Sequence, residues 1–483
     1  MIDEGIAYNS TTGRWIILAT VLGSGIAFLD STVVNVALPA IGSDFNTGFS
    51  SLQWTISAYM LTLGALLLVG GALGDLYGRR LVFVIGLTAF TLASLLCGVA
   101  PTVGVLIAAR ALQGVGAALL VPGSLAIISG SFRDEDKGQA IGAWSGLSGV
   151  TTAIGPFVGG WLVDSVSWRL VFLINLPLAA LAIAISLKHV PESRDEAAAR
   201  TPDVAGGIAA AMGLGGIVFA LIEGPARGWD QPLVRAAGAA GIIALIAFLV
   251  LEARRRHPMM PFSIFRSRQF SAANATTLVV YAALSASVFL LVIQLQKMLG
   301  YSALESGAAL IPVTLLLLVL SPTAGRLSQR WGPRGPMTAG PLVAGVAFLA
   351  LMDTSPGSNY FSDLLPGILL FGLGLAATVA PLTTAVLTAI EGAHAGIASG
   401  INNAVARVAG LLAVVLVPLA AGISGVDEVG GEAFSAGFRR SMLINAGLCG
   451  IGALISFVWI RKPPGALATT VPPAPDNPAE TVV

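Results

Sequence analysis

Fourteen apolar runs, most of them uninterrupted for about 20 residues, limit this chain more than any other feature of its sequence. Crossing the hydrocarbon core of a bilayer takes about 20 residues of α-helix. The runs fall at 14–40, 50–73, 81–99, 104–127, 138–163, 168–188, 203–223, 233–252, 270–297, 304–324, 335–352, 362–390, 396–422 and 440–460. Backbone polar groups in lipid must be satisfied internally, which leaves helices or closed β-barrels. Barrel strands are about 10 residues long and alternate in polarity, unlike the stretches GALLLVGGAL and IIALIAFLVL. The expected fold is an all-α, polytopic membrane protein with 14 transmembrane helices. Its composition agrees, at 55% hydrophobic and 11% charged residues with a mean hydropathy of +0.85.

Several function classes drop out. A net charge of +1 gives no basic excess for nucleic acid. Cys97 and Cys449 lie inside apolar runs, and His189, His257 and His394 are scattered, so no disulfide framework, metal or cofactor site is expected. There is no GxxxxGK[ST] phosphate loop for direct ATP coupling. A membrane enzyme would lack a recognisable nucleophile or metal cluster, and a sensor would lack a sizeable soluble domain. The opening MIDEGIAYNSTTGRW reads as no cleaved leader.

Of the 26 Lys and Arg residues, 18 fall on the side that carries both termini when the N-terminus is placed in the cytoplasm. The positive-inside bias therefore puts both termini there, in the inner (plasma) membrane. The chain divides into an N-terminal segment (1–13), a six-helix bundle (14–190), an inserted helix pair (203–252), a second six-helix bundle (270–460) and a tail (463–483) rich in Pro and Ala that reads as disordered. An internal repeat supports this plan. GALGDLYGRR from Gly71 matches GRLSQRWGPR from Gly325 at an offset of 254, and Gly114 and Gly116 match Gly372 and Gly374 at 258. Two parallel halves about an axis along the membrane normal form a transporter plan, with the substrate site between them.

In the first copy of the repeat, Gly71 and Gly78 let backbones approach closely, and Asp75 can accept hydrogen bonds from helix amides or pair with an arginine. The stretch thus suits a conformational latch. Arg79 and Arg80 alone fit a topology anchor equally well. GALGDLYGRR resembles the signature loop between helices two and three of the major facilitator superfamily. LDSTVVNVALP (Leu29 to Pro39), LQWTISAYML (Leu52 to Leu61), RALQGVGAALLVP (Arg110 to Pro122), GPFVGG (Gly155 to Gly160) and WRLVFLINLP (Trp168 to Pro177) resemble its 14-helix drug:proton antiporter branch. The second loop copy departs from the pattern, with Gln329 in place of the acid. The resemblance implies the two-bundle fold and multidrug or antibiotic efflux energised by proton entry.

Ionisable groups in mid-bilayer are expensive, about 2.5–3.5 kcal/mol on insertion scales, and so tend to be functional. Asp30 lies inside the first run and Arg110 inside the fourth, at depths that allow pairing. Burial favours a neutral carboxyl and a nearby cation the ionised one, so Asp30 can alternate as access changes sides. Two alternatives remain open: a fixed structural bridge, or Asp30 as partner of a cationic drug. Trp54, Tyr59, Gln113, Phe289, Asn402 and Asn403 are candidate cavity residues, Tyr59 and the other aromatics as π faces for a cation. Arg407 suits packing within the second bundle as well as the cavity, Glu223 reads as a solvated helix end, and Gln294 and Gln296 read as interfacial. In GPFVGG, Gly155, Gly159 and Gly160 permit close helix contact while Pro156 permits bending. The expected partners are protons, hydrophobic or cationic small molecules and the bilayer, for a monomer. A lipid, siderophore or self-made antibiotic is the alternative cargo.

Overall fold

The structure is a computed structural model, and it describes residues 5–195, 203–255, 258, 260–390, 395–423 and 431–461. Among them are fourteen helices long and apolar enough to span a bilayer: α1 Thr11–Asp44, α2 Phe49–Tyr77, α3 Arg79–Gly98, α4 Val103–Ser131, α5 Asp134–Ser165, α6 Leu170–His189, α7 Val204–Arg227, α8 Pro232–Arg254, α9 Arg268–Met298, α10 Ala303–Trp331, α11 Arg334–Leu351, α12 Tyr360–Thr388, α13 Ile397–Ala421 and α14 Glu432–Trp459. No strand occurs among the described residues. The tail from 463 lies outside them, as do His257 and His394.

Local sequence sets the ends. Side chains of Ser10, Thr102, Asp203 and Ser267 accept from the first-turn amides of α1, α4, α7 and α9, and Ser302 with Glu305 forms a capping box on α10. The two repeat copies end alike: Gly78 closes α2 at φ 124° and Gly332 closes α10 at φ 90°, a backbone region glycine enters without strain. The fourteenth helix starts eight residues before its apolar run, at Glu432 rather than 440, because GEAFSAGFRR is amphipathic: Phe434 and Phe438 are buried in the core while Glu432, Arg439 and Arg440 stay exposed.

Packing repeats between the halves. In the first, α1 packs on α5 and α6, α4 on α2 and α3, and α3 on α6; in the second, α9 packs on α13 and α14, α12 on α10 and α11, and α11 on α14. The bundles meet along two seams, α5 with α10 and α2 with α13. Helix α7 lies over the second seam: Leu214, Val218 and Ile222 join Leu411 and Val415 of α13 and Leu61 of α2 in one apolar cluster. Helix α8 packs mainly on α7.

The halves are joined at one end of the molecule and apart at the other. Away from the end bearing Gly5 and Arg461, one cluster unites both bundles and includes Leu29, Val33, Phe49, Phe289 and Phe434. Polar ties cross there: Gln53 Nε2 to Val414 O at 2.8 Å, Gln296 Nε2 to Val36 O at 2.9 Å, and the Ala303 and Leu304 amides to the Asp164 carboxylate at 3.1 and 2.7 Å. Toward the terminus-bearing end each bundle has its own cluster, and a Cβ on Gly138, Gly142, Gly146 or Gly149 of α5 would meet nothing within 4 Å. The central space is therefore shut on the far side and open toward the termini.

Candidate functional site

Five helices of the first bundle converge on one polar cluster. Asp30 comes from α1, Arg110 and Gln113 from one face of α4 at i, i+3, Ser94 from α3, Asn175 from α6, and the Thr55 carbonyl from α2. Asp30 is 0% and Arg110 1% exposed. Arg110 donates through Nη1 to Asp30 Oδ2 at 2.5 Å and to Gln113 Oε1 at 2.6 Å, and through Nε to the Thr55 carbonyl at 3.1 Å. Asp30 Oδ1 accepts from Gln113 Nε2 at 2.8 Å and from Asn175 Nδ2 at 3.2 Å, while Ser94 Oγ accepts from both amides. The guanidinium lies 4.3 Å from the Tyr59 ring centroid and 5.7 Å from that of Phe172.

Close approach of α4 to α2 makes this possible. Gly114 follows Gln113, and a Cβ there would overlap the Tyr59 carbonyl and the Thr62 hydroxyl. Thr62 Oγ1 in turn donates to the Ala111 carbonyl at 2.8 Å. Both charges of the buried pair are thus hydrogen-bonded, the condition under which such a pair is tolerated. Chemically, the cluster is a carboxylate that one added proton would release from its arginine.

The second bundle has a neutral counterpart. The serine caps of α1 and α9, Ser10 and Ser267, set an offset of 257 for this helix pair, which puts Ser287 opposite Asp30, and Asn445 Nδ2 of α14 donates to Ser287 Oγ at 2.8 Å. Helices α9 and α14 meet there as α1 and α6 do around Asp30 and Asn175. An offset of 258 sets Ile368 opposite Arg110. No acid–arginine pair stands at this place in the second half.

The other residues singled out in the sequence are placed as follows. Tyr59, Gln113 and Phe289 are at most 2% exposed, so in this state none lines an open cavity. Tyr59 and Gln113 enclose Arg110, and Phe289 packs on Phe49 in the far-side seal. Trp54 faces the insert, donating from Nε1 to Glu223 Oε1 at 2.8 Å. Glu223 is no solvated helix end: it is 8% exposed and pairs with Arg227. Gln294 is likewise buried, donating to the Thr354 carbonyl, and Gln296 ties the bundles through the Val36 carbonyl. Asn402 is bound inside its own bundle to Asn274 and Thr277 of α9, whereas Asn403 is exposed. Arg407 is half-buried on α13, its Cβ 3.3 Å from where a Cβ on Gly64 of α2 would lie. In GPFVGG, Gly155 and Gly159 abut α1 at Thr32 and Val33, and Gly160 abuts α10 at Ala303 and Leu304; Gly307 of α10 meets the Pro156 backbone.

Asn175 and Ser94 were not anticipated. Asn175 sits in the quoted WRLVFLINLP stretch, where an amide in an apolar run was the available signal; Ser94 gave none. If the guanidinium fork is needed, Arg110→Lys should keep the Asp30 contact but lose the Thr55 and Gln113 bonds, slowing turnover about tenfold or more with normal expression. Turnover of purified, reconstituted protein checks this, and wild-type rates in the lysine variant would make the fork geometry irrelevant.

In the GALGDLYGRR loop, Asp75 pairs with Arg79 at 2.9 Å within its own bundle. The carboxylate that caps α3 is Glu192, which accepts from the Arg80 and Leu81 amides at 3.0 and 3.2 Å, and Gly78 leaves room for it. With the terminus-bearing end open, Asp75 makes no bond to the second bundle among the described residues. A half-buried i, i+4 pair that still reaches water is worth about 1 kcal/mol at most, so Asp75→Asn should slow transport no more than about fivefold. Gly78→Leu should act more severely, because it strains the backbone by about 1–3 kcal/mol and collides with Glu192. Spin-label distances across the terminus-bearing face, measured with transport, check both; unchanged distances and rates would leave the loop a charge anchor.

Two pseudo-symmetric six-helix bundles around a central space, one of them with a buried acid–arginine cluster, define a polytopic secondary transporter. A model of the Major Facilitator Superfamily matches residues 20–414, and the chain belongs to that family. It is 38% identical to the multidrug resistance protein Stp of Mycobacterium tuberculosis over 80% of this chain and 72% of that one. It is 32% identical to the tetracenomycin C resistance and export protein of Streptomyces glaucescens, over 85% and 77% of the respective chains. Among solved structures, the POT family transporter PepTSo superposes with a TM-score of 0.68 at 16% identity, covering 92% of this chain and 97% of that one, a likeness of fold alone. The chain is an efflux transporter of the drug and antibiotic resistance kind, not an enzyme.

Proposed function

We propose that this protein is a proton-coupled antiporter that exports hydrophobic, cationic compounds by alternating access, lying in the inner membrane with both termini in the cytoplasm. The observation that carries this reading is the fully buried Asp30–Arg110 pair in an otherwise apolar bundle. A carboxylate saturated by Arg110, Gln113 and Asn175 is released when it takes a proton, and the freed arginine then changes what holds α1 to α4. A cationic substrate meets Asp30 only after Arg110 has moved, so proton and drug compete for one group. The state described here, open toward the termini, is the one that loads cargo from the cytoplasm. On this reading the GPFVGG contact keeps the far side tight against proton leak.

The test is substrate uptake into everted membrane vesicles with and without a proton uncoupler. Uncoupler-sensitive accumulation supports the reading, and accumulation indifferent to the uncoupler ends it. A second cargo, a self-made antibiotic, is favoured by similarity to an export protein whose name specifies tetracenomycin C. Comparing synthetic cationic dyes with aromatic polyketides in the same vesicles separates the two.

A further inference from the structure

Three consecutive residues of α2 hold three different parts of the molecule. Gln53 donates from Nε2 to the Val414 carbonyl of α13, in the second bundle, at 2.8 Å. Trp54 donates from Nε1 to Glu223 of α7, in the insert, at 2.8 Å. The Thr55 carbonyl accepts from Arg110 Nε, in the charged cluster, at 3.1 Å. All three contacts lie in the half of the molecule where the bundles are joined, so α2 at 53–55 is a junction between the seam, the insert and Arg110.

The insert end of the junction is built, not incidental. Glu223 is 8% exposed near the end of an apolar helix, a costly place for a carboxylate unless it is paired. It uses one oxygen on the Trp54 indole and the other on Arg227. Phe219, one turn earlier on α7, packs its ring 6.1 Å from the Trp54 ring. Leu214, Val218 and Ile222 continue the same face along α2 and α13. The indole therefore fixes both the rotation and the height of α2 against α7. The next residue supplies the carbonyl that orients the guanidinium against Asp30. A change in α2 rotation at Trp54 moves that carbonyl off the Arg110 Nε direction.

We propose that Glu223 is a positioning residue for the proton site: by anchoring the Trp54 indole to the inserted helix pair, it holds the Thr55 carbonyl where Arg110 is aimed at Asp30. This assigns the insert a part in coupling, and it rests on the proton-antiport reading. Glu223 acts here as a hydrogen-bond acceptor and not as a second proton carrier. The charged and titratable groups around Asp30 are Arg110 of α4, Tyr59 of α2 and Cys97 of α3, with the charge of Arg407 of α13 beyond Tyr59.

The experiment is a pH titration of the full-length protein in lipid nanodiscs, without substrate. It follows the infrared band of the protonated carboxyl that Asp30→Asn removes. Trp54→Phe keeps the ring and loses the donor; Glu223→Leu loses the acceptor. Each should move the midpoint toward higher pH by about half a unit or more, because a carboxylate whose cation is loosened takes up a proton more readily. The double variant should move it no further than either single one, and Glu223→Gln, which keeps an acceptor oxygen for the indole, should restore the wild-type midpoint. Unchanged midpoints in both single variants overturn the proposal, as do additive shifts in the double variant. Glu223→Gln as severe as Glu223→Leu would overturn it too, by making the charge the agent. A wild-type spectrum with no titrating band that Asp30→Asn removes would defeat the proton reading itself and this inference with it, whereas a normal band with unmoved variants defeats this inference alone.

Discussion

Asp30→Asn is expected to abolish uphill, proton-driven export while leaving a folded, membrane-inserted protein. The amide is nearly isosteric with the carboxylate and can still accept from Arg110, but it cannot take up or release a proton. One side effect is local: the new Nδ2 group faces the donors of Gln113 and Asn175, a mismatch of about 1–3 kcal/mol. Arg110 would also lose its counter-charge, although it keeps the Thr55 and Gln113 bonds and the Tyr59 face. The variant should therefore be recovered at near-normal yield. In proteoliposomes it should equilibrate substrate down its own gradient but accumulate none against it when a pH difference is imposed. Uphill accumulation by the purified variant at the wild-type level would remove Asp30 from coupling.

The second large effect is expected from Gly160→Leu. In the present state a Cβ at residue 160 would fall 2.5 Å from the Ala303 carbonyl oxygen and 2.6 Å from Leu304 Cα, atoms of α10 backbone that cannot swing aside. The Asp164 carboxylate binds the amides of those same two residues, so α5 and α10 are held together at the point where the side chain would intrude. Overpacking of this kind costs about 1–3 kcal/mol or more, and every 1.4 kcal/mol shifts a two-state ratio about tenfold. The far side should thus resist closing, and transport should fall about tenfold or more. Spin labels on the far ends of α5 and α10 should report a longer separation than in the wild type. Wild-type distances together with wild-type transport would show that the contact is not needed for closure.

How much of this was legible in the sequence depended on what each residue costs. Asp30 and Arg110 stood out because a charge in a greasy run is expensive, and the two are indeed bonded to each other. Of the two that complete the cluster, Asn175 was marked only by being an amide in an apolar run, and Ser94 by nothing, since serine is cheap and common in membrane helices. Trp54 and Phe289 were placed in the cavity because an aromatic near a span end fits a belt, a cavity or a packed seam equally well. Only the helices opposite them decide, and those are α7 for Trp54 and α2 for Phe289. Glu223 looked solvated because its partner, Trp54, lies 169 residues away in the chain. The fourteen spans and the repeat were plain, since apolar length and a constant offset are local properties. Which end of the molecule is open was not, because one sequence must encode packing for both access states.

The neutral Ser287–Asn445 pair, standing where the other half has Asp30, has an energetic consequence. On the antiport reading, a single carboxyl that titrates once per cycle sets a ceiling on how steep a gradient the protein can maintain. One proton falling through 100 mV releases about 2.3 kcal/mol, enough to hold a neutral substrate at roughly a fiftyfold concentration ratio. A monocationic substrate exchanged for one proton moves no net charge, so the voltage drops out and only the pH difference remains, about tenfold for each pH unit. The same protein would therefore expel uncharged compounds better in cells with a high membrane potential, and cationic ones better in cells living in an acidic medium.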